Sequence, residues 1–290
     1  MTKAQRIRDA VARHGTLLMP GVYDALSARI AVGAGFEVIF ISGYSVAASR
    51  LGLPDFGFLT ATEVVEAARG VCENAGQVPV IVDADTGYGN ALNVQRTVRD
   101  LIGAGAAGVF LEDQVWPKRC GHMRGKQVIP LAEQVLKLRA ARDAAGADDL
   151  FIVARTDARA PLGLDAAIER AQAYREAGAD ATFVEAPQSS AELEEIGRRT
   201  PGPRLANMLE KGLTPLMTPT ELGAIGFQLV VHPLTALYGA ARAMADLYRV
   251  LKDKGTTRDD LARLLPWEEF HEVIDLDRFY ALDAKYTPKS

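Results

Sequence analysis

Residues 109–122 read Val-Phe-Leu-Glu-Asp-Gln-Val-Trp-Pro-Lys-Arg-Cys-Gly-His. A short apolar run ends in two acids, Glu112 and Asp113, and Lys118, Arg119 and His122 then surround one thiol, Cys120. Positive charge near a cysteine lowers its pKa and favours the thiolate. Gly121 beside it lets the backbone bend and a ligand approach. These residue types suit chemistry on a small anion. The plainer alternative is an inert buried thiol, as lone cysteines commonly are, but Lys-Arg-Cys-Gly-His is too polar for a core. His122 could orient Cys120, bind substrate or simply sit in the loop.

A second group surrounds Asp83-Ala84-Asp85-Thr86-Gly87-Tyr88-Gly89. In a regular strand, side chains two apart share a face, so Asp83 and Asp85 would point together. With Glu112 opposite, they make an oxygen-rich site of the kind that suits Mg2+, with Mn2+ as the alternative. The competing reading is an acid pair that caps the helix starting near Asn93. Arg155 follows the apolar run Phe-Ile-Val-Ala, and a buried guanidinium needs an anionic partner. That partner is either a structural acid, Glu185 or Asp157, or a substrate carboxylate gripped as a fork. Ser42, with the backbone of Gly43 and Tyr44, offers further donors, although a Ser-Gly turn is often only a turn.

Eight short apolar runs could position these groups: Leu17–Pro20, Val38–Ser42, Val80–Asp83, Gly108–Glu112, Phe151–Ala154, Ala181–Glu185, Arg204–Asn207 and Gln228–Val231. Near-continuous apolar character suits strands buried on both faces of a parallel sheet. Helical patterns lie between them, among them Asn93–Ile102, Leu131–Ala144, Leu164–Glu176 and Thr220–Ala224. Several stop on a glycine just before the next strand: Gly35, Gly105, Gly178 and Gly226. A left-handed glycine cap feeding a strand is the expected helix-to-strand junction. Eight alternations predict a (β/α)8 TIM barrel. The rival is a doubly wound open sheet, but no Gly-x-Gly-x-x-Gly follows the first strand. In a barrel, catalytic groups sit at the C-terminal strand ends. There the chain places Ser42, Asp83, Glu112, Arg155, Glu185 and Asn207, which would converge on one mouth.

The 290 residues are 48% hydrophobic and 24% charged, with net charge −4, close to a globular average. That length can be one α/β barrel, and no linker divides residues 1–290, so a single domain is expected. No basic stripe points to nucleic acid. No apolar run is long enough to span a bilayer, and the N-terminus lacks the apolar core of a signal peptide. The two cysteines are too few for a disulfide framework, so a reducing cytoplasm is expected. Cys72 falls in a helical pattern, Glu63–Asn74, and reads as packing. His14, His232 and His271 have no convergent acids and receive no role. After the eighth strand, Leu234–Lys252 reads as a long helix. Asp259–Ala284 adds more helical pattern with Trp267, Phe270, Phe279 and Tyr280. These elements of 234–290 either cover the barrel or pack on a neighbouring subunit.

The chain resembles the isocitrate lyase and phosphoenolpyruvate mutase superfamily. The residues that carry the resemblance run from Pro20-Gly21-Val22-Tyr23-Asp24-Ala25 through Ser42-Gly43 and Leu51-Gly52-Leu53-Pro54-Asp55. They continue through Asp83 to Gly89, Leu111-Glu112-Asp113-Gln114, Lys118 to His122, Ala154 to Ala158 and Leu205-Ala206-Asn207-Met208. The resemblance implies a (β/α)8 barrel whose last helix is exchanged with a neighbour, giving a homotetramer built as a dimer of dimers. It implies Mg2+ at Asp83, Asp85 and Glu112, held mostly through water. The implied substrate is a small carboxylate, a 2-oxo or 2-hydroxy acid, bound by Ser42, Gly43, Tyr44, Asp55, Arg155, Glu185 and Asn207. The implied catalytic set is Cys120, Tyr44, Lys118, His122 and Arg155, and the loop from Gln114 to Lys126, which carries Lys118, Cys120 and His122, is expected to close over the substrate.

Within that superfamily, the Lys-Arg-Cys-Gly-His loop resembles the carbon–carbon lyase branch, where the cysteine protonates an enolate leaving group. It also occurs in a carboxyphosphonoenolpyruvate mutase branch. Methylisocitrate lyases usually carry Arg-Pro after the histidine and a threonine two residues after the strand-seven asparagine. Here those positions are Met123-Arg124 and Leu209, which fits a smaller dicarboxylate of the alkylmalate type. Three hypotheses follow: a Mg2+-dependent lyase releasing pyruvate or glyoxylate, a phosphonomutase or oxaloacetate hydrolase, and a non-catalytic barrel kept for binding or assembly.

Overall fold

The structure, a computed structural model, describes residues 1–287. All eight apolar runs form parallel strands: β1 (Leu17–Val22), β2 (Ile39–Ile41), β3 (Val80–Asp83), β4 (Gly108–Glu112), β5 (Phe151–Thr156), β6 (Ala181–Val184), β7 (Arg204–Asn207) and β8 (Leu229–His232). They pair in chain order, and β8 returns to β1 with Leu17 opposite Leu229, closing the barrel. The molecule is a (β/α)8 barrel.

Before β1 comes α1 (Lys3–His14), and between β1 and β2 comes α2 (Ala25–Gly33). The connection from β2 to β3 holds α3 (Gly43–Val46), one π-helical turn at Ala47–Leu51, and α4 (Ala61–Asn74). Single helices follow the next two strands: α5 (Ala91–Gly103) after β3 and α6 (Leu131–Ala145) after β4. Then come α7 (Arg159–Leu162) and α8 (Leu164–Glu176) after β5, α9 (Ser190–Arg199) after β6 and α10 (Pro219–Ala224) after β7. Beyond β8 lie α11 (Thr235–Lys254), α12 (Trp267–Val273) and α13 (Leu276–Tyr286).

Local chemistry sets the boundaries. Thr60 and Glu63 form a reciprocal capping box on α4, as do Thr218 and Glu221 on α10, satisfying backbone donors that a helix start leaves free. Gly35, Gly105, Gly178 and Gly226 all have φ between +87° and +104°, as the sequence predicts for helix-to-strand junctions. The Ser42-Gly43 segment is not a simple turn: Ser42 caps α3, its hydroxyl accepting from Ser45 N–H.

Side-chain parity explains how the barrel builds a site. Leu17, Met19, Phe40, Ile81, Phe110, Val153, Phe183, Leu205 and Val231 form the inner core, and Ile7 of α1 closes it from below. Phe40 and Phe110 stack at 4.4 Å, and Phe183 meets Phe110 edge-on at 5.9 Å. Inward-facing positions recur every second residue. Two residues beyond these apolar positions stand Ser42, Asp83, Glu112, Arg155, Glu185 and Asn207. The same pleat that fills the floor with phenylalanine therefore sets a polar ring on top of it.

Candidate active site

All of the ring but Glu112, which lies buried behind it, lines one cavity at the C-terminal mouth, floored by Phe40, Phe110 and Phe183. Ser42, Tyr44, Asp55, Asp83, Cys120, His122, Arg155, Glu185 and Asn207 all face it. Residues from five of the six polar strand ends and from the 113–130 loop thus meet at the cavity, and Glu112 of the sixth reaches it only through Arg155. The loop folds back as a hairpin. Gln114 pairs with Val128, Val115 N–H donates to Gln127 O, and Ile129 N–H donates to Asp113 O.

Asp83 ends β3, but Asp85 lies past the strand with φ +48°. They converge through this turn and not through a shared strand face. Nor do they cap α5, which is capped by Asn90 with Asn93. Asp85 N–H donates to Asp83 Oδ1 at 3.1 Å, Gly43 N–H to Asp83 Oδ2 at 3.3 Å and Tyr88 Oη to Asp85 Oδ2 at 3.0 Å. A Cβ on Gly43 would stand 3.0 Å from Asp83 Oδ2, so glycine here keeps room beside the acids. That N–H is already engaged with Asp83, not free for a substrate carboxylate as the sequence analysis supposes.

Lys118 departs from expectation. Its ammonium turns from the thiol to Asp85 Oδ1 at 2.6 Å and Asp55 Oδ1 at 2.7 Å. A buried ammonium takes the carboxylates that best replace its water. Burial would lower its pKa, but Asp85, Asp55 and Glu112 hold it well above the usual lysine range.

Cys120 also corrects an expectation. Burial pushes its thiol up to about 11, with Asp55 and Glu185 adding to the rise against His122 backbone and Arg155. The thiol is protonated at neutral pH; desolvation outweighs the nearby cations. His122 has left the thiol for Glu185, with Nε2 3.0 Å from Oε1. Its Nδ1 accepts from Leu213 N–H at 2.9 Å, so the ring proton sits on Nε2, toward Glu185. Asn207 Nδ2 donates to the same Glu185 oxygen at 3.3 Å.

Arg155 Nε donates to Asp157 Oδ2 at 2.8 Å and Nη2 to Oδ1 at 3.1 Å. Glu112 Oε2 is 3.3 Å away and Glu185 Oε2 4.0 Å. The structural partner is therefore Asp157, and Arg155 still lies over the Phe183 ring at 5.4 Å, facing the cavity. Although burial opposes it, Arg155 and Lys126 hold the Asp157 carboxyl well below the usual range. Burial drives Glu112 well above the usual range, against the pull of Arg155.

Among the described residues no three His, Cys, Asp or Glu side chains are arranged to hold a metal directly. Yet Glu112 is 1% exposed, and neither carboxylate oxygen accepts a hydrogen bond. Orphaned buried carboxylate oxygens are rare, and a hydrated divalent ion meeting them through its waters fits this donor set.

Lys126 and Tyr238 have no predicted role in the sequence analysis, and Asp157 appears there only as a structural partner of Arg155. Tyr238 of α11 is pushed up to about 12 by burial first and then by Tyr44. Nothing in an exposed-looking helix signals that contact. For Asp157 the signal was its position two residues from Arg155.

The barrel and its polar mouth define a (β/α)8 enzyme class. Residues 7–251 match the family model described as phosphoenolpyruvate phosphomutase. The chain is 57% identical over 283 residues to the petal death protein of Dianthus caryophyllus, covering 97% of this chain and 89% of that one. It is also 57% identical over 285 residues to the chloroplastic carboxyvinyl-carboxyphosphonate phosphorylmutase of Arabidopsis thaliana (97% and 84%). With 2,3-dimethylmalate lyase of Eubacterium barkeri it shares 43% over 286 residues (99% of both). Among solved structures, an oxaloacetate acetylhydrolase bound to 3,3-difluorooxalacetate superposes with TM-score 0.91 at 34% identity (100% and 98%). A phosphonopyruvate hydrolase with oxalate and Mg2+ gives 0.88 at 30% (99% of both). The chain belongs to the phosphoenolpyruvate mutase/isocitrate lyase superfamily. It is an enzyme of the carbon–carbon lyase kind found there. No helix among the described residues is long and apolar enough to cross a membrane.

Proposed function

We propose that this enzyme cleaves a carbon–carbon bond of a 2-hydroxy di- or tricarboxylate, of the 2-methylisocitrate or alkylmalate type. The products are pyruvate or glyoxylate and a second carboxylate. The observation that carries the reading is a protonated thiol, Cys120, facing the same cavity as Arg155, Ser42 and Tyr44. Arg155 and Ser42 hold the substrate carboxylates. A base takes the 2-hydroxyl proton, and Tyr44 is the side chain in the cavity placed to serve as it. As the C–C bond breaks, its electron pair passes to the carbon beside the departing carboxylate, and the O–H carbon becomes the 2-oxo group. Cys120 S–H protonates that carbon, and the proton held by the base restores the thiol.

Asp83, Asp85 and Glu112 would hold Mg2+, or Mn2+, through water, as the orphaned oxygens of Glu112 favour. Bound there, the ion offsets negative charge on the 2-oxo oxygen. His122, Glu185 and Asn207 form the wall beside Arg155, while Lys118 and Asp55 keep the loop seated. Two free cysteines suit a reducing, cytoplasmic setting, and the exposed apolar face of α11 suits a homotetramer.

A second reading, phosphonomutase or oxaloacetate hydrolase chemistry, draws support from the similarity to proteins so named. Oxo-acid release with Mg2+ from methylisocitrate, isocitrate and dimethylmalate, set against oxalate and acetate release from oxaloacetate, decides between lyase and hydrolase. Turnover of one hydroxy acid, reduced about 10²–10⁴-fold in Cys120→Ser with Mg2+ affinity kept, supports the lyase. Turnover of oxaloacetate alone, surviving that substitution, overturns it.

A further inference from the structure

Three polar residues of the catalytic loop each dock on a carboxylate of the barrel. Lys118 meets Asp55 and Asp85, and His122 meets Glu185. The third is Lys126, whose Nζ donates to Asp157 Oδ1 at 2.7 Å and to Gly121 O. Its side chain is 1% exposed, and Asp157 is fully buried. Neither residue lines the cavity, so neither can touch a substrate held there.

Their position makes them a coupling. Asp157 Oδ1 takes Lys126 Nζ and Arg155 Nη2 together. Asp157 is itself pinned, its N–H donating to Asp113 Oδ1 at 2.8 Å. On the loop side, the carbonyl that Lys126 holds belongs to Gly121, the neighbour of Cys120. That glycine lies directly on the fork: a Cβ there would stand 2.5 Å from Arg155 Nη2 and 2.2 Å from Glu185 Oε1. With the loop seated, the cavity keeps only about 40 Å³, room for a few waters. The seated loop leaves little room above the ring, and any lifting of it separates Lys126 from Asp157.

We propose that Lys126 is a positioning residue that ties the closing of the Cys120 loop to the aim of the Arg155 guanidinium, through their shared partner Asp157. When the loop seats, one ammonium fixes the backbone beside the thiol and completes the charge around the carboxylate that orients the fork. The roles of Cys120 and Arg155 in this inference rest on the function proposed above; the latch itself does not.

The test uses the full chain with Lys126→Met and Lys126→Arg, and follows alkylation of Cys120 by iodoacetamide, peptide by peptide, with buried Cys72 as internal reference. No substrate enters this measurement, so it stands even if the proposed reaction fails. An opened loop exposes the thiol, and Lys126→Met is expected to speed Cys120 alkylation about tenfold, with Cys72 unchanged and Lys126→Arg close to wild type. In turnover, Lys126→Met is expected to raise KM and lower kcat together. Equal Cys120 alkylation in wild type and Lys126→Met, with circular dichroism unchanged, overturns the latch. If Lys126→Met does not fold, Lys126→Gln gives the same reading, and a Cys120 rate equal to wild type there overturns it as well.

Discussion

Cys120 is subject to opposing influences: burial and the acids Asp55 and Glu185 push its pKa up, while the His122 backbone and Arg155 pull it down. The outcome at about 11 leaves the thiol able to donate a proton across the neutral range. A group that must be protonated to act works below its pKa and fails above it. The alkaline fall in turnover due to Cys120 is therefore expected near pH 11. Iodoacetamide alkylation of Cys120 should still be climbing at pH 9.5, well past the ordinary cysteine value of about 8.5; a plateau reached below pH 9 would contradict the desolvation argument. Gly121 beside it is a steric matter. Its missing Cβ is replaced in space by Glu185 and Arg155, so Gly121→Ala keeps the loop from seating. We expect kcat/KM to fall about 10²-fold, while stability moves by no more than about 0.5 kcal/mol, because the loop yields and the barrel does not. A large loss of stability on urea unfolding would show that the loop is part of the core.

Strand parity separates two acids that look alike in sequence. Glu112, inward after Phe110, joins the mouth. Asp113, one residue on, points outward and is fully buried. It accepts from Thr156 Oγ1, Asp157 N–H, Arg170 Nη1 and Tyr174 Oη, tying the end of β4 to β5 and α8. Asp113→Ala strands a buried guanidinium, and a loss of about 3–5 kcal/mol on urea unfolding is expected; a loss below about 1 kcal/mol would mean that water replaces the carboxylate. The strands were legible because each is a near-continuous apolar run, and the site was legible because the polar residue ending six of those runs keeps the inward parity. What the sequence could not show was pairing at a distance. Lys118 chose Asp85 and Asp55, Lys126 chose Asp157, and α1 closed the barrel floor, all through contacts between residues far apart along the chain.

At the scale of the whole molecule, the C-terminal helices are the elements that the barrel does not explain. None of the residues of α11 from Thr235 to Lys254 is buried, although Tyr238, Met244, Tyr248 and Leu251 lie along it. Leu264, Leu265, Trp267, Phe279 and Tyr280 extend the exposed apolar surface. Between α11 and α2 runs an apolar groove of about 730 Å³ whose walls include Ile30, Leu26 and Ala240. At roughly 25 cal/mol per Å² of apolar area removed from water, leaving such a face in solvent forgoes several kcal/mol that a second copy could supply. A closed, symmetric assembly is the usual way for identical chains to do this, and it matches the homotetramer that the superfamily resemblance implies. Sedimentation velocity at micromolar concentration is expected to show a species of four chains. Tyr248→Asp combined with Leu251→Asp should shift it to smaller species, because a charge placed on that face cannot be desolvated without a partner. Since Tyr238 of the same helix lies against Tyr44, the smaller species should also lose activity. A wild-type chain that sediments as a monomer would remove the assembly reading and leave α11 as a helix held only by its own barrel.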